Sequence, residues 1–185
     1  IPSSLVGSEM CIRDSYELEY ALNKVECKTL ITDVSFKTSD YLRMINTLAP
    51  ELESSHPGQL EAEKLPHLKH VIRMGSDTTP GMYNFDVVCA AGTAEDQATM
   101  DALQAALQPD DAINIQFTSG TTGNPKGATL SHCNILNNGY LTGLAMQLGP
   151  ADKLCIPVPL YHCFGMVLSV LACVCLLYTS PSPRD

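Results

Sequence analysis

From Tyr16 onward, Leu18, Leu22 and Val25 recur at helical spacing, and the short apolar stretch KTLIT that follows predicts a buried strand. SDYLRMINTLAPEL predicts a second helix, capped by Ser39 or Asp40 and closed near Pro50. The acidic ESSHPGQLEAEKLP, with its Pro and Gly, reads as a surface connection, LKHVIRM as another strand, and Gly75 with SDTTPG as the turn after it. Met100, Leu103 and Leu107 mark an amphipathic helix that Pro109 stops. From Asp111 the period changes: Ile113, Ile115 and Phe117 alternate with Asn114, Gln116 and Thr118, as in a half-buried strand. Ser131 then caps a helix carrying Leu136, Tyr140 and Leu144 on one face, with Gly139 and Gly143 allowing a neighbour close. Leu154, Ile156, Val158 and Leu160 alternate again, although Pro157 and Pro159 remove backbone donors and push that strand's second half to an edge. Strands alternating with helices predict an α/β fold, a largely parallel sheet flanked by helices.

Composition narrows the function classes. A length of 185 residues suits one domain or part of a larger one, and 45% hydrophobic residues supply a sizeable core. A net charge of -9, with 11 scattered Lys and Arg, disfavours nucleic acid as a partner. Eight cysteines dispersed through apolar segments read as reduced intracellular thiols, and Cys173 with Cys175 lacks the second pair of a zinc site, so no metal ligand is assigned. The sixteen-residue apolar run from Cys163 to Tyr178 falls short of the roughly 20 that a bilayer needs, so a buried helix is expected and no membrane span. IPSSLVGSEMCIRDS and LLYTSPSPRD resemble translated library-adapter sequence. Residues 1–15 and 176–185 are therefore set apart as foreign tails around an internal fragment, divided into 16–110 and 111–175.

The chemistry concentrates in FTSGTTGNPKGATLSH, residues 117–132. Glycines at 120 and 123 let backbone N–H groups turn inward on an anion, Ser119, Thr121 and Thr122 add hydroxyl donors, and Lys126 adds a full positive charge. This is not G-x-x-x-x-G-K-[ST], because Asn124 and Pro125 intervene before Lys126 and Gly127 follows it. The loop is expected to run from a strand end to a helix start; the bland reading of such a stretch is a mobile surface turn. His56, His67, His70 and His132 lack ligand spacing and default to solvated or capping roles. Glu61 with Glu63, and Asp110 with Asp111, read as solvation.

The string TSGTTGNPKG, together with PLYHCFG at residues 159–165, resembles the signatures of the adenylate-forming (AMP-binding) superfamily, and within it the medium-chain fatty acyl-CoA ligases. The resemblance implies a partial, truncated N-terminal domain of such an enzyme. It implies that Thr118, Ser119, Gly120, Thr121, Thr122, Gly123, Asn124, Pro125 and Lys126 hold the phosphates of ATP, and that Lys126 and His162 act in catalysis, with Tyr161 and Phe164 lining the acyl pocket. His162 has a second reading, a strand-end imidazole bonded to backbone. The implied reaction joins a fatty acid to coenzyme A through an acyl-adenylate, releasing AMP and diphosphate, with Mg2+ held mostly by residues outside this stretch. The implied setting is the mitochondrial matrix, with the cytoplasm as alternative. A non-catalytic nucleotide- or phosphate-binding module, an aryl-CoA ligase fragment and an amino-acid adenylation fragment are the competing readings.

Overall fold

A computed structural model describes residues 15–36, 38–118, 124–158, 160 and 162–176. The described residues divide into two compact units, one ending at Ala106 and one beginning at Leu107.

The first unit is built on a parallel three-stranded sheet. Strand β1 (Thr29–Thr32) pairs with β4 (His70–Arg73), which pairs with β5 (Tyr83–Asn84), giving the order β1-β4-β5. A small antiparallel pair, β2 (Ser35–Phe36) and β3 (Ser39–Asp40), lies between β1 and the next helix. Helix α1 (Ser15–Lys24) buries Leu18 and Leu22, as the spacing predicts. Helix α2 (Tyr41–Leu48) resolves the choice of cap: Asp40 accepts the Arg43 N–H at 2.9 Å, satisfying one of the orphan donors of the first turn. Its face of Met44, Ile45 and Leu48 enters the core, and a 3₁₀ turn at Pro50–Glu53 follows.

The supposed surface connection is not at the surface throughout. Leu60, Ala62 and Leu65 are at most 4% exposed and join Leu52, Leu68 and Val71 in the hydrophobic core. Turn residues and carboxylates there mask a set of leucines spaced too irregularly to show either period. KTLIT departs in the opposite sense, since among the described residues β1 has only one strand partner and leaves Ile31 53% exposed. Beyond β5 come α3 (Phe85–Ala90) and α4 (Ala94–Ala106), neither with a buried residue. The predicted helix at Met100 and Leu103 therefore exists, with its apolar stripe bare.

The second unit opens with an antiparallel hairpin, β6 (Ala112–Thr118) against β7 (Lys126–Ser131), and continues into α5 (His132–Ala145). Ser131 caps α5 in a reciprocal box: its Oγ accepts the Asn134 N–H at 3.3 Å, and Asn134 Oδ1 accepts the Ser131 N–H at 2.9 Å. A continuous helical run then spans α6 (Cys163–Gly165), a π-turn (Met166–Leu171) and α7 (Ala172–Leu176); the helix expected from the apolar run is present, but its burial is partial, with Val167, Ser169 and Ala172 buried and Phe164 and Val174 48% and 51% exposed. It packs on α5 through Gly139 and Gly143. A Cβ on Gly139 would stand 2.9 Å from Leu171 Cβ, and one on Gly143 would stand 2.4 Å from Leu176 Cδ1. The predicted close approach is thus present, while the companion face of Leu136, Tyr140 and Leu144 is exposed. No strand forms over 152–158. Leu154, Ile156 and Val158 are still half-buried in alternation with exposed neighbours, so the period-two pattern survives where Pro157 cannot donate to a ladder.

Candidate functional site

The glycine-rich stretch joins two strands of one hairpin. The expectation that it runs directly from strand to helix is corrected by β7, which interposes six residues before α5. Lys-Gly-Ala-Thr has no apolar alternation to announce a strand; its extended form comes from hydrogen bonding back to β6. Ser119, Gly120, Thr121, Thr122 and Gly123 lie outside the described residues. Their two flanks do not, and these define the mouth of the loop.

Register sets that mouth. Thr118 is directly opposite Lys126, Gln116 opposite Ala128, and Asn114 opposite Leu130, with a register shift between Ala112 and Asn114. Residues paired across antiparallel strands share a face, so Lys126 shares one with Thr118, Gln116 and Asn114. The other face holds Ile115 and Phe117 over Gly127, whose Cβ position would lie 3.0 Å from Ile115 Cγ2. Alternation is therefore present along β6, but burial does not follow the apolar set: Asn114, Gln116 and Phe117 are half-buried, whereas Ile113 and Ile115 are 45% and 43% exposed.

Both Thr118 and Lys126 are exposed, and Asn124 beside Pro125 completes the described part of the connection. From Ala112 to Ser131 the chain has no Asp or Glu, and Lys126 is its one Lys or Arg. A single ammonium, a facing hydroxyl and no carboxylate make the mouth receptive to an anion.

His162 lies elsewhere in the same unit, immediately before α6. Its Nδ1 accepts the Phe164 N–H at 3.1 Å, making the imidazole the N-cap, and its carbonyl accepts the Met166 N–H at 2.9 Å. Acceptance at Nδ1 places any proton of the neutral ring on Nε2. Cys163 is exposed, with Sγ 3.8 Å from the same nitrogen, a neighbour that sequence reading passed over because adjacency in the chain alone gives no contact. Phe164 is 48% exposed, and Tyr161 falls outside the described residues. Of the other histidines, His56 and His67 are exposed and His70 lies on β4 with its ring 6.2 Å from that of Tyr83. His132 opens α5 with Nε2 buried and unpartnered, as is Asn114 Oδ1. Among the described residues, no group of three or more His, Cys, Asp or Glu is placed to hold a metal ion, and no helix is long and apolar enough to cross a membrane.

The family model described as AMP-binding enzyme matches residues 14–180. The mitochondrial medium-chain acyl-CoA ligase ACSF2 of Mus musculus is 45% identical over 176 residues, covering 91% of this chain and 29% of the relative. Its counterpart in Homo sapiens is 43% identical over 169 residues, covering 88% of this chain and 27% of the relative. Among solved structures, the ATP-bound RpMatB-BxBclM chimera B1 superposes with a TM-score of 0.56 at 26% identity, over 90% of this chain and 27% of that one. The chain thus spans less than a third of the length of the relatives it matches.

Proposed function

The chain belongs to the AMP-binding enzyme family, and on that premise we propose that it is the phosphate-gripping part of an ATP-dependent fatty acyl-CoA ligase. The observation that carries the reading is the register placing Lys126 opposite Thr118 at the mouth of a carboxylate-free loop. These residues suit a polyphosphate: the ammonium neutralises charge as a point cation, and the hydroxyl and converging backbone N–H groups donate to oxygen. Thr118, Asn124, Pro125 and Lys126, with Ser119 through Gly123, would hold ATP, whose chemistry is to activate a fatty acid carboxylate for transfer to the thiol of coenzyme A. The loop's own contribution is positioning and charge stabilisation. His162 would present its Nε2 edge towards the acyl and pantetheine path while Nδ1 keeps the helix capped.

Mg2+ and coenzyme A as further ligands, medium-chain acids as the substrate class and mitochondria as the setting belong to the same proposal. They rest on the mouse and human relatives, both named as mitochondrial medium-chain ligases. Residues 16–110 and 111–175 would then be parts of one larger domain.

The test is ATP titration of the 185-residue chain, followed by the amide signals of residues 112–131. ATP and inorganic triphosphate are expected to shift the Thr118 and Lys126 signals, and Lys126→Ala to weaken binding by roughly 10-fold, the loss expected for one charge-assisted contact. Equal affinity of wild type and variant would overturn the assignment. Acyl-CoA formation by this chain alone is expected to be undetectable, and turnover would refute the view that the grip lacks its catalytic partners.

A further inference from the structure

The helical run from Cys163 to Leu176 contains one stretch that the proposed chemistry does not use. Met166–Leu171 is π-helical between α6 and α7. A π-turn holds one residue more than the α-helix would place over the same length, and such turns occur mostly as single insertions in α-helices. The two flanks are fastened differently. Ala172 and Leu176 of α7, with Leu171 at the end of the π-turn, lie against Gly139 and Gly143 of α5, whereas Cys163 and Phe164 are exposed and follow the His162 cap.

Ser169 makes the π register tolerable and leaves the alternative open. It is only 6% exposed, and its Oγ donates to the Phe164 carbonyl, five residues back, at 2.9 Å. In an α register the same hydroxyl would reach the Gly165 carbonyl four residues back, so the buried donor is satisfied in both arrangements. Neither register strands this hydroxyl, which removes one penalty that would otherwise separate them.

We propose that this helix is a two-register element, a conformational device in which the π-turn converts to α-helix and the Cys163–Gly165 turn shifts by one residue against a fixed α7. One residue of register corresponds to about 100° of rotation and about 1.5 Å of rise. The shift exchanges the side chains that the start of the helix presents, Phe164 foremost. It is a property of the helix and holds whatever ligand the unit takes.

Amide hydrogen exchange on the full 185-residue chain at low micromolar concentration tests it, with wild type beside a variant lacking Leu168. Wild-type amides of residues 166–171 are expected to exchange at least 10-fold faster than those of residues 139–143 in α5. Deletion of Leu168 removes the surplus residue, so its far-UV circular dichroism should match wild type and the neighbouring amides should slow to the α5 level. Equal protection in the wild type would overturn the proposal, as would fast exchange that persists after the deletion, since that is simple fraying. A deletion variant that unfolds would also overturn it, because no residue was then in surplus.

Discussion

Cys27 and Cys163 show how differently two thiols of one chain are held. Cys27 is half-buried and donates to the Thr29 carbonyl at 3.2 Å; burial pushes its thiol above the ordinary value. Cys89, Cys155 and Cys163 are exposed. Alkylation at pH 8 read by peptide mass spectrometry should label these three well before Cys27, and early labelling of Cys27 would contradict its burial. The sign for stability follows from the same shift. With the folded thiol raised, its contribution is fully present below the unfolded value and is lost as pH rises through the folded one. His162 shows where residue-level reading succeeds and stops. Its context announced an element-end imidazole bonded to backbone, but the particular partner, the Phe164 N–H, like the Thr118 that faces Lys126, is supplied by backbone geometry that no residue type encodes.

Elements obey the same division. Helices with buried leucines at regular spacing, α1 and α2, and the alternating β6 were legible because one period ran uninterrupted through each. β7 was not, since pairing with β6 and not its own pattern makes it a strand, and Leu60 and Leu65 were hidden by turn residues around them. The contact of α5 with α7 gives a graded prediction. Gly139→Ala drives its Cβ against Leu171 Cβ and, at 3.2 Å, the Leu171 carbonyl carbon, so it should cost about 1–3 kcal/mol in a urea unfolding curve. Gly143→Ala meets chiefly the end of the Leu176 side chain, which can swing aside, and should cost less. In α4 the expected effect is one of pH. The Thr93 side chain and then its backbone N–H, both donating to Asp96 Oδ2, hold that carboxyl below its ordinary value. Stability from this box is present above the unfolded carboxylate value and is lost as pH falls through the folded one. Helical circular dichroism should therefore fall on acidification, and Asp96→Asn should flatten that part of the profile.

At the scale of the molecule, large apolar side chains stand in the open on several elements: Met100 and Leu103 on α4, Ile113 and Ile115 on β6, Leu141 and Leu144 on α5. Exposed apolar side chains in such number favour association in water. Sedimentation velocity should show the chain self-associating between about 1 and 100 µM, the range over which weak apolar contacts become populated, and Leu141→Glu should reduce it. A monomer across that range with one sharp thermal transition would argue that these faces are adequately solvated. The sheet order carries a different consequence. Thr29 of β1 finds His70 of β4 as its partner, with the whole of α2 and the buried leucine segment between them. During synthesis at about 5–20 residues per second, β1 waits roughly 2–8 seconds before its neighbour has even been made. For that interval Leu30 and Ile31 have no ladder to join, a window in which the strand is open to pairing with other chains.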